Sequence, residues 1–263
     1  MRRSLLSGLV LLVLSSTAPL KGETVAVRYP EGTVRGFLVL RTLDGNHLAD
    51  GDLFQNVSSD KVTCRVVFRF RDGSVHDETA VFSQRDRFEL VTDHLVQKGP
   101  SFPHPVETSI DVASGRVSVR YRDDDGKEMT DEEHIALPAD VANGLIFTLL
   151  KNVRRGDAPT TVSMLATTPK PRVVKLVMTA AGENAFSVGR ASHTSTRYDV
   201  KLEGLVGFIA SLVGKKPPPT SVWILDGDAP TFVKAEGPLY VGGPVWRIEL
   251  TSPVWPQAVT QKR

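Results

Sequence analysis

The chain has 263 residues, with 32 lysines and arginines against 30 aspartates and glutamates, one cysteine and 41% hydrophobic residues. This composition is typical of a folded globular protein and argues against disorder. A single cysteine excludes an internal disulfide and a cysteine-based metal cluster, and the absence of a basic block with interleaved aromatic residues argues against a nucleic-acid partner.

The first segment of the chain has the order of a secretory signal peptide. A basic pair at positions 2 and 3 precedes an apolar run over 5–14 and small residues at 15–18. The apolar run is too short to span a membrane as a helix, although an uncleaved anchor is the alternative. Cleavage is expected after Ala18 or after Gly22. We therefore predict a signal peptide over 1–22, a single β-rich domain over 23–263, and a periplasmic or secreted protein without a transmembrane segment in its mature form.

Cleavage at position 22 also changes the charge. Removal of Arg2, Arg3 and Lys21 leaves 29 basic residues against 30 acidic ones. A nearly neutral protein has no general electrostatic attraction to nucleic acid or to anionic lipid.

The first half of the mature chain alternates between apolar and polar residues with a period of two, which is typical of half-buried β-strands. Asp-Gly and Ser-Gly pairs separate the segments and predict hairpin turns. Cys64 lies inside one segment and is interpreted as a small buried side chain. The predicted strands are 34–41, 61–70, 74–82, 86–96, 107–113 and 116–122.

The spacing of the apolar residues then changes in one segment, 137–153. In 137–153, Val141, Leu145, Leu149 and Val153 recur four residues apart after a proline, which predicts one main helix over about 140–152. We expect this helix to join two strand meanders, over 23–136 and 160–252.

The second half returns to alternating segments. Between two of them, the glycine- and proline-containing stretch 204–220 is interpreted as a short helix or a packed loop, and its 204–214 part as a lid with glycine hinges. The predicted strands are 161–167, 172–180, 184–191, 196–203, 221–226, 231–237 and 245–251.

Two stretches resemble known catalytic or metal motifs without matching them. Residues 121–132 carry aspartates at calcium-loop spacing, but Tyr121 occupies the first ligand position and the flanks are strand-like. Ser187 lies in a small-x-Ser-x-Gly stretch with His193 nearby, but a strand rather than a helix is expected after it. We interpret the first as a charged hairpin. The second remains only as the basis for an unfamiliar hydrolase.

The remaining polar residues do not form a recognisable site. No two histidines have the i, i+4 spacing of a helical metal site, and no phosphate loop or dinucleotide fingerprint is present, so we predict no catalytic residues, no metal and no cofactor. The histidines are His47, His76, His94, His104, His134 and His193.

Aromatic residues collect near the end of the chain. Trp223, Phe232, Tyr240 and Trp246 fall between residues 221 and 250, with Trp255 just beyond. Aromatic side chains anchor cores, and they also line the mouths of barrels that hold apolar ligands. These four residues are therefore the candidate ligand-binding residues, with Trp223 and Trp246 expected on the inward face of their strands.

The stretches 137–145 and 222–250 resemble uncharacterised bacterial exported proteins of the DUF3108 type, which are similar to periplasmic lipoprotein-carrier folds. The resemblance implies a curved antiparallel sheet wrapped partly around a helix, and it brings no catalytic residues.

The sequence therefore predicts a mainly β protein, with a curved antiparallel sheet or incomplete barrel and one main helix. The leading functional hypothesis is an exported, non-enzymatic protein that binds or carries an apolar ligand such as a lipid or a lipidated protein. The alternatives are a cell-envelope scaffold that binds partners through a strand edge, and an unrecognised hydrolase. The sequence leaves the oligomeric state open.

Overall fold

The computed structural model describes residues 23–123, 125–167, 170–188, 191–203 and 220–252. These residues form fourteen strands in one sheet and one short helix, α1. The strands are β1 (Val34–Thr42), β2 (His47–Ser58), β3 (Lys61–Phe70), β4 (Val75–Gln84), β5 (Phe88–Lys98), β6 (Val106–Asp111), β7 (Arg116–Arg122), β8 (Glu128–His134), β9 (Thr160–Ala166), β10 (Arg172–Val188), β11 (Ala191–Glu203), β12 (Thr220–Leu225), β13 (Thr231–Gly237) and β14 (Trp246–Thr251), with α1 over Ile146–Asn152 between β8 and β9.

The sheet is two meanders joined in the middle. Its spatial order is β8-β7-β6-β5-β4-β3-β2-β1-β14-β13-β12-β11-β10-β9, and every neighbouring pair is antiparallel. The first and last strands pair from Phe37 opposite Thr251 to Thr42 opposite Trp246. In the part of the chain that the structure describes, the two end strands of the sheet, β8 and β9, are not paired with each other. The predicted mainly β fold, an incomplete barrel with one helix, is confirmed.

Alternation of side chains along each strand gives the sheet a buried inner face and a charged outer face. On β3, Val62 and Phe68 are buried in the core. On the opposite face, Arg65 pairs with Asp77 on the neighbouring strand at 2.6 Å. One continuous core cluster contains inner-face residues of both meanders together with Leu149 and Leu150 of α1, so the curved sheet encloses the helix.

The helix is shorter than the sequence pattern predicts. It begins at Ile146 rather than near 140, because residues 140–142 pair with β9: Ala142 donates its backbone N–H to the Ser163 carbonyl, and Ser163 donates to the Asp140 carbonyl. Gly144 then adopts a φ of 69°, which lies outside the right-handed helical region. Val141, Leu145 and Leu149 are nevertheless all buried, as the apolar stripe indicated.

The strand assignment differs from the sequence prediction at three places. β2 and β8 were not predicted, and β10 is one long strand where two segments, 172–180 and 184–191, were expected. β2 contains an Asp-Gly step that resembles a turn. Gly51 is needed there because a Cβ would lie 2.5 Å from the ring of Phe68 on β3.

Residues 135–153 form a connecting segment between β8 and β9, and hydrogen bonds hold it on two sides. Asn143 exchanges two hydrogen bonds with the backbone of Leu165 on β9. The Asn152 side chain accepts the backbone N–H groups of Arg28 and Tyr29, each at 2.8 Å. The connecting segment is thus fixed to the second meander and to the N-terminal residues 23–33. Across the described residues, no helix has the length and apolar character needed to span a membrane.

Candidate functional site

Four aromatic rings gather at one end of the curved sheet, in a cluster called here the aromatic end. Phe70 ends β3, Trp246 begins β14, Phe102 lies in the β5–β6 loop and Tyr240 lies in the β13–β14 loop. Their centroids are 5.3 Å apart for Phe70–Phe102, 5.5 Å for Phe70–Trp246 and 5.7 Å for Phe102–Tyr240. The rings meet at tilted or edge-to-face angles, which is the favourable geometry for aromatic pairs.

The loop over residues 238–245 covers this end. Gln97, buried on β5, donates to the Leu239 carbonyl at 2.8 Å and lies 3.0 Å from Nδ1 of His76. Burial lowers the pKa of His76 to about 4, so its ring is neutral and its Nδ1 accepts a hydrogen bond. The Tyr240 ring rests on Gly243, where a Cβ would approach the ring to 2.9 Å. One buried amide therefore connects the loop to the interior.

The four predicted ligand-binding residues do not form one site. Tyr240 and Trp246 belong to the aromatic end, with their ring centroids 6.2 Å apart. Phe232 stacks instead on Phe147 of α1, with centroids 4.5 Å apart. The structure brings together only one pair of the four, and it adds Phe70 and Phe102, two aromatic residues outside the predicted set.

Trp223 lies on the outer face of the sheet. Its neighbours Val222 and Ile224 take the buried inner positions, so alternation along β12 directs Trp223 outward. There the Lys234 ammonium lies 3.8 Å from the ring centroid, and the indole N–H donates to Asn184 at 3.0 Å. The expectation that Trp223 and Trp246 share the inward face is wrong. Trp223 lines an outer groove of about 230 Å³.

A group of three polar side chains, Asp140, Ser163 and Lys175, fixes the early part of the connecting segment. Lys175 lies 2.7 Å from the Ser163 hydroxyl and 3.3 Å from Asp140, and Ser163 in turn donates to Asp140 at 2.9 Å. A serine beside a lysine is a pattern of nucleophilic catalysis. Here Ser163 is fully buried and its hydroxyl is directed to a carboxylate, so the group acts as a structural connection. Asp140 and Lys175 also line an open groove of about 520 Å³, together with Arg87 and Thr24.

The two stretches that resemble catalytic or metal motifs are both hairpins. Residues 121–132 contain the end of β7 and the first part of β8, and between them Asp123 accepts the backbone N–H groups of Asp125 and Lys127. Ser187 lies within β10 and pairs with Ser192 of β11, so a strand follows it instead of a helix. The strand–turn–helix context of a nucleophile elbow is not formed there.

The single cysteine is set among acidic groups. Burial raises the pKa of the Cys64 thiol to about 12, and the charges of Glu78 and Glu31 act in the same direction. A thiol with a raised pKa is a poor nucleophile. Within the described residues, no three histidine, cysteine or acidic side chains are placed to hold a metal ion together.

Similarity to known proteins is found among solved structures. No family model matches the chain, and no curated protein does. The chain is similar to a beta-barrel-like protein of the domain of unknown function DUF1849 from Brucella abortus, seen in a crystal structure. The TM-score is 0.46 and the identity 12%, over 87% of this chain and 100% of that one. That domain is a different one from the DUF3108 type.

Proposed function

We propose that the protein is an exported, non-enzymatic protein of a bacterial cell envelope, and that its aromatic end binds an apolar group such as the acyl chain of a lipid or a lipidated protein. The signal-like residues 1–22 support export; they lie outside the described residues. The resemblance of two stretches to exported proteins of the DUF3108 type points the same way.

The observation that carries the proposal is the grouping of three aromatic rings beneath a single loop that contributes the fourth ring, Tyr240. Trp246 and Phe102 are buried, whereas Tyr240 in the covering loop stays half-exposed. The two cavities described above lie elsewhere, so an acyl chain would enter by displacing the 238–245 loop and replacing the Tyr240 ring against Phe102. An acyl chain offers the apolar surface that the displaced tyrosine would leave uncovered.

The test combines extraction with fluorescence. The protein is purified from its native envelope fraction, examined by native mass spectrometry and extracted with organic solvent. It is then titrated with oleate while tryptophan emission is recorded. We expect a bound acyl species, and an emission change that persists in Trp223→Phe and disappears in Trp246→Phe. A ligand-free mass together with no response to oleate would refute the proposal.

Tyr240→Ala and Tyr29→Ala give a matched pair for the same titration. Both remove a tyrosine that is not fully buried, but Tyr29 lies beside the end of α1, where its backbone bonds to Asn152. We expect the oleate affinity to change only in Tyr240→Ala. An equal change in both variants would place the acyl site elsewhere.

One observation favours a second candidate, the envelope scaffold. β8 lies at one end of the strand order, and no described strand pairs with its outer edge. The opposite edge strand, β9, is covered in part by the bridge between Val141 and Ser163. An unpaired edge can accept an additional strand from a partner. A photo-crosslinker at Thr130 of β8 that captures a specific protein in the envelope, while one at Thr179 inside β10 captures none, would favour the scaffold.

A further inference from the structure

Two carboxylic acids on neighbouring inner-face positions approach the same point beneath the connecting segment. Glu78 lies on β4, two residues before the small residue Ala80, and Asp93 lies directly opposite Ala80 on β5. A Cβ placed on Gly144 would lie 3.1 Å from Oδ1 of Asp93, 3.6 Å from Oε1 of Glu78 and 2.7 Å from Cβ of Ala80. The turn at Gly144 therefore sits directly over this acid pair, Glu78 and Asp93.

Within the described residues, one of the two acids, Asp93, lacks a partner that a buried carboxylate needs. Asp93 is only 3% exposed, and its Oδ1 has no hydrogen-bond partner among the described residues. Buried charges in proteins are normally paired and hydrogen-bonded, because desolvation of a lone carboxylate is costly. A protonated pair avoids that cost.

Among the described residues, the ionisable groups around the pair supply no spare positive charge. The Cys64 thiol faces it from β3, and His76 lies on the same face of β4 and is neutral. Lys151 of α1 is bonded to Glu31 of the N-terminal segment. If both acids of the pair ionised, their two carboxylates and that of Glu31 would face a single ammonium group, that of Lys151.

The raised pKa values agree with this geometry. Burial raises the pKa of Glu78 to about 7, and burial together with the charge of Glu78 raises the pKa of Asp93 well above its usual range. When two acids lie close together, ionisation of one raises the pKa of the other, and the pair titrates as a unit.

The connecting segment makes hydrogen bonds on one of its sides and a packing contact on the other. Toward the second meander and the N-terminal residues it is hydrogen-bonded through Asn143, Asn152 and the carbonyl of Val153, which accepts from Tyr198. Toward β4 and β5 it rests on Ala80 and the acid pair through the Gly144 turn. Repulsion within the pair would therefore loosen one side of the segment and leave the other attached.

We propose that the acid pair is a pH-sensitive contact: it holds the Gly144 turn, from which α1 starts, against β4 and β5 while it carries a proton, and releases that turn when both carboxyls ionise. This inference goes beyond the proposed function and does not depend on the aromatic end or on any ligand. It makes the connecting segment a movable closure of the curved sheet.

Hydrogen exchange measured by mass spectrometry tests the proposal on the purified protein at pH 5 and pH 8, after correction for the intrinsic pH dependence of exchange. We expect amide protection over 144–153 to fall by at least about tenfold at pH 8, the factor that one pKa unit represents. Protection within residues 175–180 of β10 serves as the internal reference and is expected to stay constant.

Glu78→Gln and the double variant Glu78→Gln with Asp93→Asn should keep the segment protected at pH 8. The matched control is Asp77→Asn, because Asp77 neighbours Glu78 but faces outward to Arg65, so the pH dependence should persist in it. Constant protection in the unmodified protein, or a pH dependence that survives in Glu78→Gln, overturns the proposal. If the double variant does not fold, the single Glu78→Gln variant decides.

Discussion

Trp223 and Trp246 lie on opposite faces of the same sheet, although they lie close together in sequence. Trp246 is buried among aromatic rings on the inner face, and Trp223 stacks against Lys234 on the outer face. Two strands apart, they occupy environments of different polarity, and this difference is measurable.

Acrylamide quenching should separate the two residues. In a Trp255→Phe background, Trp246→Phe leaves Trp223 as the single fluorophore and Trp223→Phe leaves Trp246. We expect red-shifted, strongly quenched emission from Trp223 and blue-shifted, weakly quenched emission from Trp246, because a buried indole is shielded from water and quencher. Equal quenching constants would contradict the placement of these two side chains.

Gly144→Ala should destabilise the protein more than an equivalent change in an exposed turn. Gly144 has a φ of 69° and its Cβ position is occupied by Ala80, so the variant combines backbone strain with overpacking and should lose on the order of 2–4 kcal/mol of unfolding free energy. Gly156 also has a positive φ but nothing within 4 Å of its Cβ position. Gly156→Ala should therefore cost only about 1 kcal/mol. Urea denaturation of both variants checks the difference, and similar losses would argue against a tight Gly144 contact.

Glu78→Gln should become more stable relative to the unmodified protein as the pH rises. A carboxyl whose pKa is raised in the folded state contributes its full stability below its ordinary pKa, and loses it as the pH rises toward the folded value of about 7. The difference in unfolding free energy between variant and unmodified protein should grow by on the order of 1–3 kcal/mol from pH 5 to pH 8. Urea melts at both pH values measure it, with Asp77→Asn as the control that shows no such growth.

His76 should produce the opposite pH dependence. Burial lowers its pKa from 6.5 to about 4, so the stability that its neutral form provides is complete above pH 6.5 and is lost as the pH falls through the folded value. His76→Gln should remove on the order of 1–3 kcal/mol of this acid sensitivity between pH 6.5 and pH 4. His104 is exposed, and His104→Gln is expected to keep the unmodified slope. The slope of the free energy against pH is the quantity to compare, since either substitution can also change the absolute stability.

The strand alternation predicted most of the fold because a residue's position along a strand decides its face. What the sequence could not supply was information carried by distant strands. Asp50 and Gly51 form an Asp-Gly step of the kind that usually marks a turn, whereas in β2 the missing side chain of Gly51 makes room for the ring of Phe68 on the next strand. The start of the helix was misplaced because residues 140–142 bond to Ser163, a partner more than twenty residues away.

The site was harder to predict, for a similar reason. The aromatic end depends on two loops that follow different strands, so Phe102 and Tyr240 have no local signal that brings them together. The acid pair did leave a signal. His76, Glu78, Ala80 and Phe82 alternate along β4, which places Glu78 on the same face as buried residues. An acid in register with a buried phenylalanine indicates an ionisable group on the inner face of the sheet.

The pairing of β1 with β14 has a consequence for the connectivity of the chain. Phe37 lies opposite Thr251, so the beginning of the first strand is next to the end of the last. A circular permutant that links these two points and opens the exposed 154–159 loop would place β9 through β14 before β1 through β8. Its strands would then follow one another in sequence as they do in space. In the natural order, the centre of the sheet can form only after the last strand has been synthesised.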